Sequence, residues 1–195
     1  MTPKLWPPQC CVPAFVHAAL LQLGVDYPYP DAIPKVIGIR VKPEDVNPLD
    51  LALADRLHPP GIRGSDAERQ VNRMCCQIDS DLRLRRVPFK AIIEELWMDV
   101  LDEAMSRGAV VGLGVDYNML MAAGPSDCSA QHVLRVLSLN NGIITLFDDS
   151  GESNQAVISV DPDRVREAVL SVEDGLWIIN KATKLNFQYT LPWQD

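Results

Sequence analysis

The change of hydrophobic period along the chain constrains its fold more than any other feature. Before Gly108, apolar side chains recur mostly at three- and four-residue spacing, as one face of a helix requires; beyond it they mostly alternate or run in short β-branched stretches, as strands do. In the first part, Val12, Phe15, Val16, Ala19, Leu20 and Leu23 predict a helix over 13–23, with Pro13 in its first turn and Gly24 at its end. Ser65 is a candidate N-cap for a second helix with the apolar face Ala67, Val71, Met74, Cys75 and Ile78, so Cys75 and Cys76 read as packing residues. Leu82 and Leu84 alternate with Arg83 and Arg85 as a short strand would. Pro88 is expected to open the strongest helix, whose inward face is Ile92, Ile93, Leu96, Trp97, Val100, Leu101 and Ala104, with Gly108 closing it.

Strands are then expected over 109–115, 132–139, 143–147 and 176–179, with one more helix over 162–171. At the end of the sequence, Leu185, Phe187, Tyr189 and Leu191 alternate with Asn186, Gln188 and Thr190, which predicts a strand with one wet face. Helices first and antiparallel strands afterwards argue for an α+β fold over a doubly wound parallel sheet. Residues 27–64 break the pattern: seven prolines, at 28, 30, 34, 43, 48, 59 and 60, leave loops and one or two short helices, of which 48–57 is the best candidate. The stretch 26–64 reads as a lid or an insertion. With no internal repeat or low-complexity tract, the 195 residues are expected to form a single domain, 1–195, long enough to need neither disulfide nor metal for stability.

Hydrophobic residues at 47% and charged residues at 23% exclude disorder and fibrous classes. Twenty-six acidic residues against 18 basic ones give a formal charge of −8, which repels a phosphate backbone or an anionic bilayer, so neither nucleic acid nor membrane is an expected partner. The five cysteines, at 10, 11, 75, 76 and 128, are odd in number and include two vicinal pairs, a usage suited to a reducing compartment. The apolar run from Val12 to Leu23 carries His17 and Gln22, lacks a basic flank and a cleavage site, and is short of a bilayer span, so a cytoplasmic location is expected.

Chemistry concentrates at the front of the first helix. A helix start stabilises a thiolate through unpaired backbone N–H groups and the positive end of the macrodipole, and Pro13 puts Cys11 there. The run Cys11-Val12-Pro13-Ala14 followed by an apolar helix resembles the Cys-Gly-Pro-Ala opening of the bacteriocin-leader (double-glycine) peptidases and their stand-alone relatives, a branch of the papain-like cysteine peptidase superfamily. The resemblance leaves 25–107 unmatched. It implies a papain-like fold, N-terminal helices on a C-terminal antiparallel sheet, with the nucleophile opening the first long helix and a histidine and an aspartate supplied by later strands. His132 fits that implication: it opens an apolar strand that turns at Asn140-Asn141-Gly142 and returns to Asp148-Asp149, and 148 − 132 gives sixteen residues of spacing. An acidic group there would hold the imidazole in one tautomer and stabilise its charged form.

Two turn geometries remain open. A two-residue Asn-Gly turn makes paired positions sum to an odd number and puts Asp149 on the face of His132; a three-residue loop makes the sum even and selects Asp148, which the family spacing favours. An oxyanion donor is also implied. The family carries a glutamine several residues before the cysteine; here Leu5 stands six before it and Gln9 two before it, which makes Gln9 the candidate and leaves Cys10 as an alternate nucleophile.

Other constellations are weaker. His17 and His58 do not combine with the vicinal cysteines at a zinc spacing, and Gly112-Leu113-Gly114 sits within a strand rather than ahead of a helix, so no metal or cofactor is expected. His17 reads as a surface or structural residue; Trp6, Trp97, Trp177 and Trp193 read as packing residues. The expected activity is a thiol-dependent hydrolase or acyltransferase acting on a peptide, amide or thioester. The alternative is a papain-like binding or interaction module without catalysis.

Overall fold

The computed structural model of the chain describes residues 10–27, 30, 33–37, 67–79, 81–89, 92, 96–121, 131–150, 157–172 and 175–181. In chain order these form α1 (Cys11–Gln22), α2 (Ile33–Ile37), α3 (Ala67–Ile78), β1 (Leu82–Pro88), α4 (Trp97–Ser106), β2 (Val110–Asp116), α5 (Tyr117–Leu120), β3 (Gln131–Asn140), β4 (Ile143–Phe147), β5 (Val157–Val160), α6 (Pro162–Ser171) and β6 (Gly175–Lys181). The six strands make one sheet in the order β1-β6-β2-β3-β4-β5, with antiparallel pairing at every join. The α+β class expected from the change of period is therefore the class observed, with N-terminal helices packed on an antiparallel sheet.

The sheet is covered on both faces. Val110, Val133, Trp177 and Ile179 pack with Phe15, Val16, Ala19 and Leu20 of α1, Ile33 and Ile37 of α2, and Val71, Met74 and Cys75 of α3. The neighbouring positions Val111, Leu113, Val115, Leu134 and Ile178 pack instead with Trp97, Leu101 and Ala104 of α4 and Val165, Ala168 and Val169 of α6. Alternation along β2 thus feeds two cores, and every residue of that strand is buried. This explains why its sequence is continuously apolar rather than alternating.

Gly112 interrupts the first of those cores for a reason. A Cβ built there would lie 2.9 Å from Phe15 Cε2, so the absence of a side chain lets the Phe15 ring lie flat on β2 and brings α1 close to the strand. Two aspartates start helices as side-chain caps. Asp116 accepts from the N–H groups of Asn118 and Met119 at the start of α5, and Asp161 accepts from Arg164 N at 3.0 Å ahead of Pro162, which opens α6.

Several expectations are corrected. Pro88 does not open a helix. It is the last residue of β1, opposite Gly175 in β6, a position where the strand ends and no further donor is needed. Gly175 has φ 139°, and a Cβ there would sit 2.1 Å from Val87 O, so the β1–β6 end is closed by a close backbone approach that only glycine permits. The helix expected from Pro88 is α4, which begins at Trp97 and keeps Trp97, Leu101 and Ala104 as its buried face; Ile92 is buried ahead of it.

The first helix begins at Cys11 rather than at 13. Cys75 is buried as expected, whereas Cys76 is exposed and packs in neither core. His17 is buried on α1, the structural rather than the surface reading, and Trp97 and Trp177 are core residues. The short elements α5 and β5 were not expected. The helix proposed over 48–57, the Ser65 cap, the final strand over 185–191, His58, Trp6, Trp193 and Cys128 lie outside the described residues, as does most of 27–64 apart from α2. Among the described residues, no helix is long and apolar enough to cross a membrane.

Candidate active site

Cys11 is the first residue of α1, and its neighbour Cys10, the N-cap, makes no side-chain cap to the helix. The two adjacent thiols part company. Cys10 is fully buried in the apolar core, while Cys11 is half-buried and lies near enough to His132 to favour the charged form of the imidazole. Cys11 is placed there because α1 is seated on β2 and β3 by Phe15 and Val16, and is tied at its other end by Arg135, whose NH1 donates to Gln22 Oε1 at 2.9 Å.

His132 is the second residue of β3, opposite Val115 near the end of β2. Tyr117, which follows β2 directly, sets its ring edge-on to the imidazole at 5.2 Å between centroids, a favourable T-shaped arrangement. His132 Nε2 lies 2.9 Å from Asp148 Oδ2, so imidazole and carboxylate are at ion-pair distance. The carboxylate sits off the direction of the ring N–H, which leaves Nε2 without a well-formed hydrogen bond.

The two aspartates face different partners, and the hairpin explains why. Asn140 pairs with Ile143 across a two-residue turn, Asn141 at φ 51° and Gly142 at φ 73°, the primed geometry that by itself would select Asp149. A bulge then shifts the register between Val136 and Ser138, so that Val136 pairs with Leu146 and Arg135 with Phe147. The paired sum becomes even, and Asp148 meets His132. Asp149 instead receives a two-pronged contact from Arg135, Nε to Oδ2 at 2.9 Å and NH2 to Oδ1 at 2.8 Å. Neither simple turn anticipates this: the two-residue turn and the Asp148 contact occur together because one extra residue intervenes.

Asp148 is held from its other side. Its Oδ1 accepts from Ser150 N at 2.9 Å and Ser150 Oγ at 3.0 Å. Burial pushes the Asp148 carboxyl up, but His132 and the two Ser150 donors outweigh it and hold the group below its ordinary value. Burial would likewise lower His132; the contacts with Asp148 and Cys11 and their negative charge more than offset it, and the imidazole is raised from 6.5 to about 9. Asp149 goes the other way. Burial raises it, the Arg135 guanidinium offsets only part of that, and the charge of Asp148 adds to the rise. Tyr117 is raised by burial and by the charge of Asp148. Cys75 is pushed up to about 12, chiefly by burial, which leaves it an inert packing thiol.

Of the residues singled out in the sequence, then, His132 and Asp148 lie 2.9 Å apart with Cys11 in their neighbourhood, Cys10 is buried in the core, Asp149 pairs with Arg135, and Gln9 and Leu5 lie outside the described residues. Tyr117 and Ser150 were not anticipated. Ser150 had a signal, since Asp-x-Ser is local turn chemistry in which serine returns a hydrogen bond to the carboxylate. Tyr117 had none, because its role follows from the register that sets β2 against β3. Among the described residues no cluster of histidine, cysteine and carboxylate side chains could hold a metal ion.

No family model matches the sequence, and no curated protein matches it. Among solved structures the chain is similar to the peptidase domain of Streptococcus ComA, a bifunctional ABC transporter involved in a quorum-sensing pathway, with TM-score 0.49 and 13% identity over 92% of this chain and 98% of that one. It is also similar to a C39-like peptidase from Bacillus anthracis, with TM-score 0.44 and 11% identity over 92% of this chain and 96% of that one. The α+β assignment rests on this chain's own sheet and helices.

Proposed function

We propose that the chain is a papain-like thiol enzyme that cleaves or transfers an acyl group from a peptide, amide or thioester, with Cys11 as nucleophile, His132 as proton carrier and Asp148 as the group that orients the ring. One juxtaposition supports the reading: a half-buried thiol at a helix start lies beside an imidazole whose Nε2 is 2.9 Å from a carboxylate oxygen. With Nε2 turned to Asp148, Nδ1 is the nitrogen left for the thiol. The thiolate attacks the carbonyl carbon and forms a C–S bond; the tetrahedral oxyanion collapses, the bond to the leaving group breaks, and the imidazolium proton goes to the departing nitrogen or sulfur. Water, or an acceptor amine in a transferase, then gives its proton to the neutral imidazole and attacks the thioester, which frees the Cys11 thiolate. The Cys11 N–H, with Gln9, is the proposed oxyanion donor.

The second reading, a binding module without catalysis, is favoured by Leu5 at the place where the resembled family carries its glutamine. An activated aryl ester separates the two. The enzyme reading expects a hydroxylamine-sensitive acyl adduct on Cys11, detected by mass, that is absent from Cys11→Ala. A chain that forms no adduct on Cys11 under conditions where a free thiol does is a binding module.

A further inference from the structure

We infer that Ser150 is a positioning residue for the Asp148–His132 pair: by holding Oδ1 with two donors, it presents Oδ2 to the imidazole. Ser150 follows β4 by three residues and is 2% exposed, so its hydroxyl does not trade freely with water. Its N–H and its Oγ both converge on Asp148 Oδ1, at 2.9 and 3.0 Å, and neither contacts Oδ2. A carboxylate turns about its Cβ–Cγ bond with little resistance. Two donors on one oxygen remove that freedom, and Oδ2 is left 2.9 Å from His132 Nε2.

The arrangement matters because Asp148 closes no strand ladder that would fix it by backbone alone: it follows Phe147, the last residue of β4, and the ladder with β3 has already shifted register. The lateral direction of Oδ2 therefore depends on Ser150. Both groups gain from the contact, since the N–H and O–H of Ser150 favour the ionised carboxylate, and an ionised carboxylate favours the charged imidazole. Ser150 acts on the ring only through Asp148.

The inference rests on the proposed thiol site but has its own readout. The chain contains three histidines, so the His132 ring can be followed by NMR through a pH titration. Ser150→Ala and Ser150→Gly both keep the backbone N–H and remove the hydroxyl; Ser150→Thr keeps both. Loss of one hydrogen bond to a charged acceptor should lower the His132 midpoint by about half a pH unit or more in both the Ala and the Gly variant, with the Thr variant near wild type. Asp148→Asn should lower it further than either. If Asp148→Asn lowers the midpoint while Ser150→Ala and Ser150→Gly leave it in place, the inference is overturned and the thiol site stands. If the Ser150 variants shift the midpoint but Cys11 never forms an acyl adduct, the inference stands and the enzyme reading fails. A wild-type midpoint near 6.5 that ignores Asp148→Asn overturns both.

Discussion

Asp148 and Asp149 are adjacent, chemically identical and assigned opposite tasks by one bulge, which makes them the sharpest probes of individual residues. Asp148→Asn removes the charge opposite His132 and should lower the rate of any Cys11-dependent reaction by about 10²–10⁴, the range for a positioned acid–base system. Asp149→Asn should leave that rate nearly unchanged and lower stability instead, by about 1–3 kcal/mol, because the Arg135 guanidinium loses its charged acceptor while sitting only 16% exposed. Urea unfolding of both variants, beside a rate assay, tests the division.

His132 and Asp148 together predict a pH profile. His132 is raised in the folded chain, so its contribution to stability is complete below its ordinary 6.5 and is lost as pH climbs through about 9. Asp148 is lowered, so its contribution is present above its ordinary 3.8 and is lost only as pH falls below that. The stability difference between wild type and Asp148→Asn should thus be greatest between about pH 4 and 6.5 and shrink towards pH 9. A difference that grows between pH 6.5 and 9 has the opposite sign and excludes the pair.

At the level of elements, the position of Cys11 depends on how closely α1 lies on β2. Gly112→Ala would place a methyl carbon 2.9 Å from the fully buried Phe15 ring. Overpacking of this kind costs about 1–3 kcal/mol, and it should also slow alkylation of Cys11, since the helix that carries the thiol is pushed off the strand that neighbours His132. Adding Phe15→Leu to Gly112→Ala should recover part of both losses; a double variant no better than Gly112→Ala alone would mean that the glycine serves another purpose.

The amphipathic faces of α1 and α3, the apolar strands β2 to β4 and the helix from Pro162 were legible because period is a local property of sequence. Pro88 was misread because a proline suits the end of a strand as well as the start of a helix, and only the pairing with Gly175 decides between them. The bulge near Leu137 was illegible for a related reason: nothing in Val136-Leu137-Ser138 says which residue the opposite strand will skip. Cys76 was misjudged because it follows Cys75 on a helix whose face turns through 100° at each residue, enough to carry one thiol inside and the next outside.

For the whole molecule, the order of elements carries most of the meaning: a helix that opens on a cysteine, and a later antiparallel sheet that returns a histidine and an aspartate to it. The sheet covered on both faces gives that meeting point a rigid support, which a site built from side chains about 120 positions apart requires if it is to hold its geometry to within a fraction of an ångström. The proposal rests on Cys11 and His132 acting together, and the measurement closest to it is the rate of iodoacetamide labelling at pH 6, read cysteine by cysteine by peptide mapping, in wild type and His132→Ala. Cys76 is exposed and serves as the internal reference. Cys11 is expected to label at least about tenfold faster than Cys76 in the wild type and to lose that advantage in His132→Ala, as expected where a neighbouring imidazole takes up the proton of an attacking thiol. Labelling of Cys11 no faster than Cys76, or a Cys11 rate indifferent to His132, would contradict it.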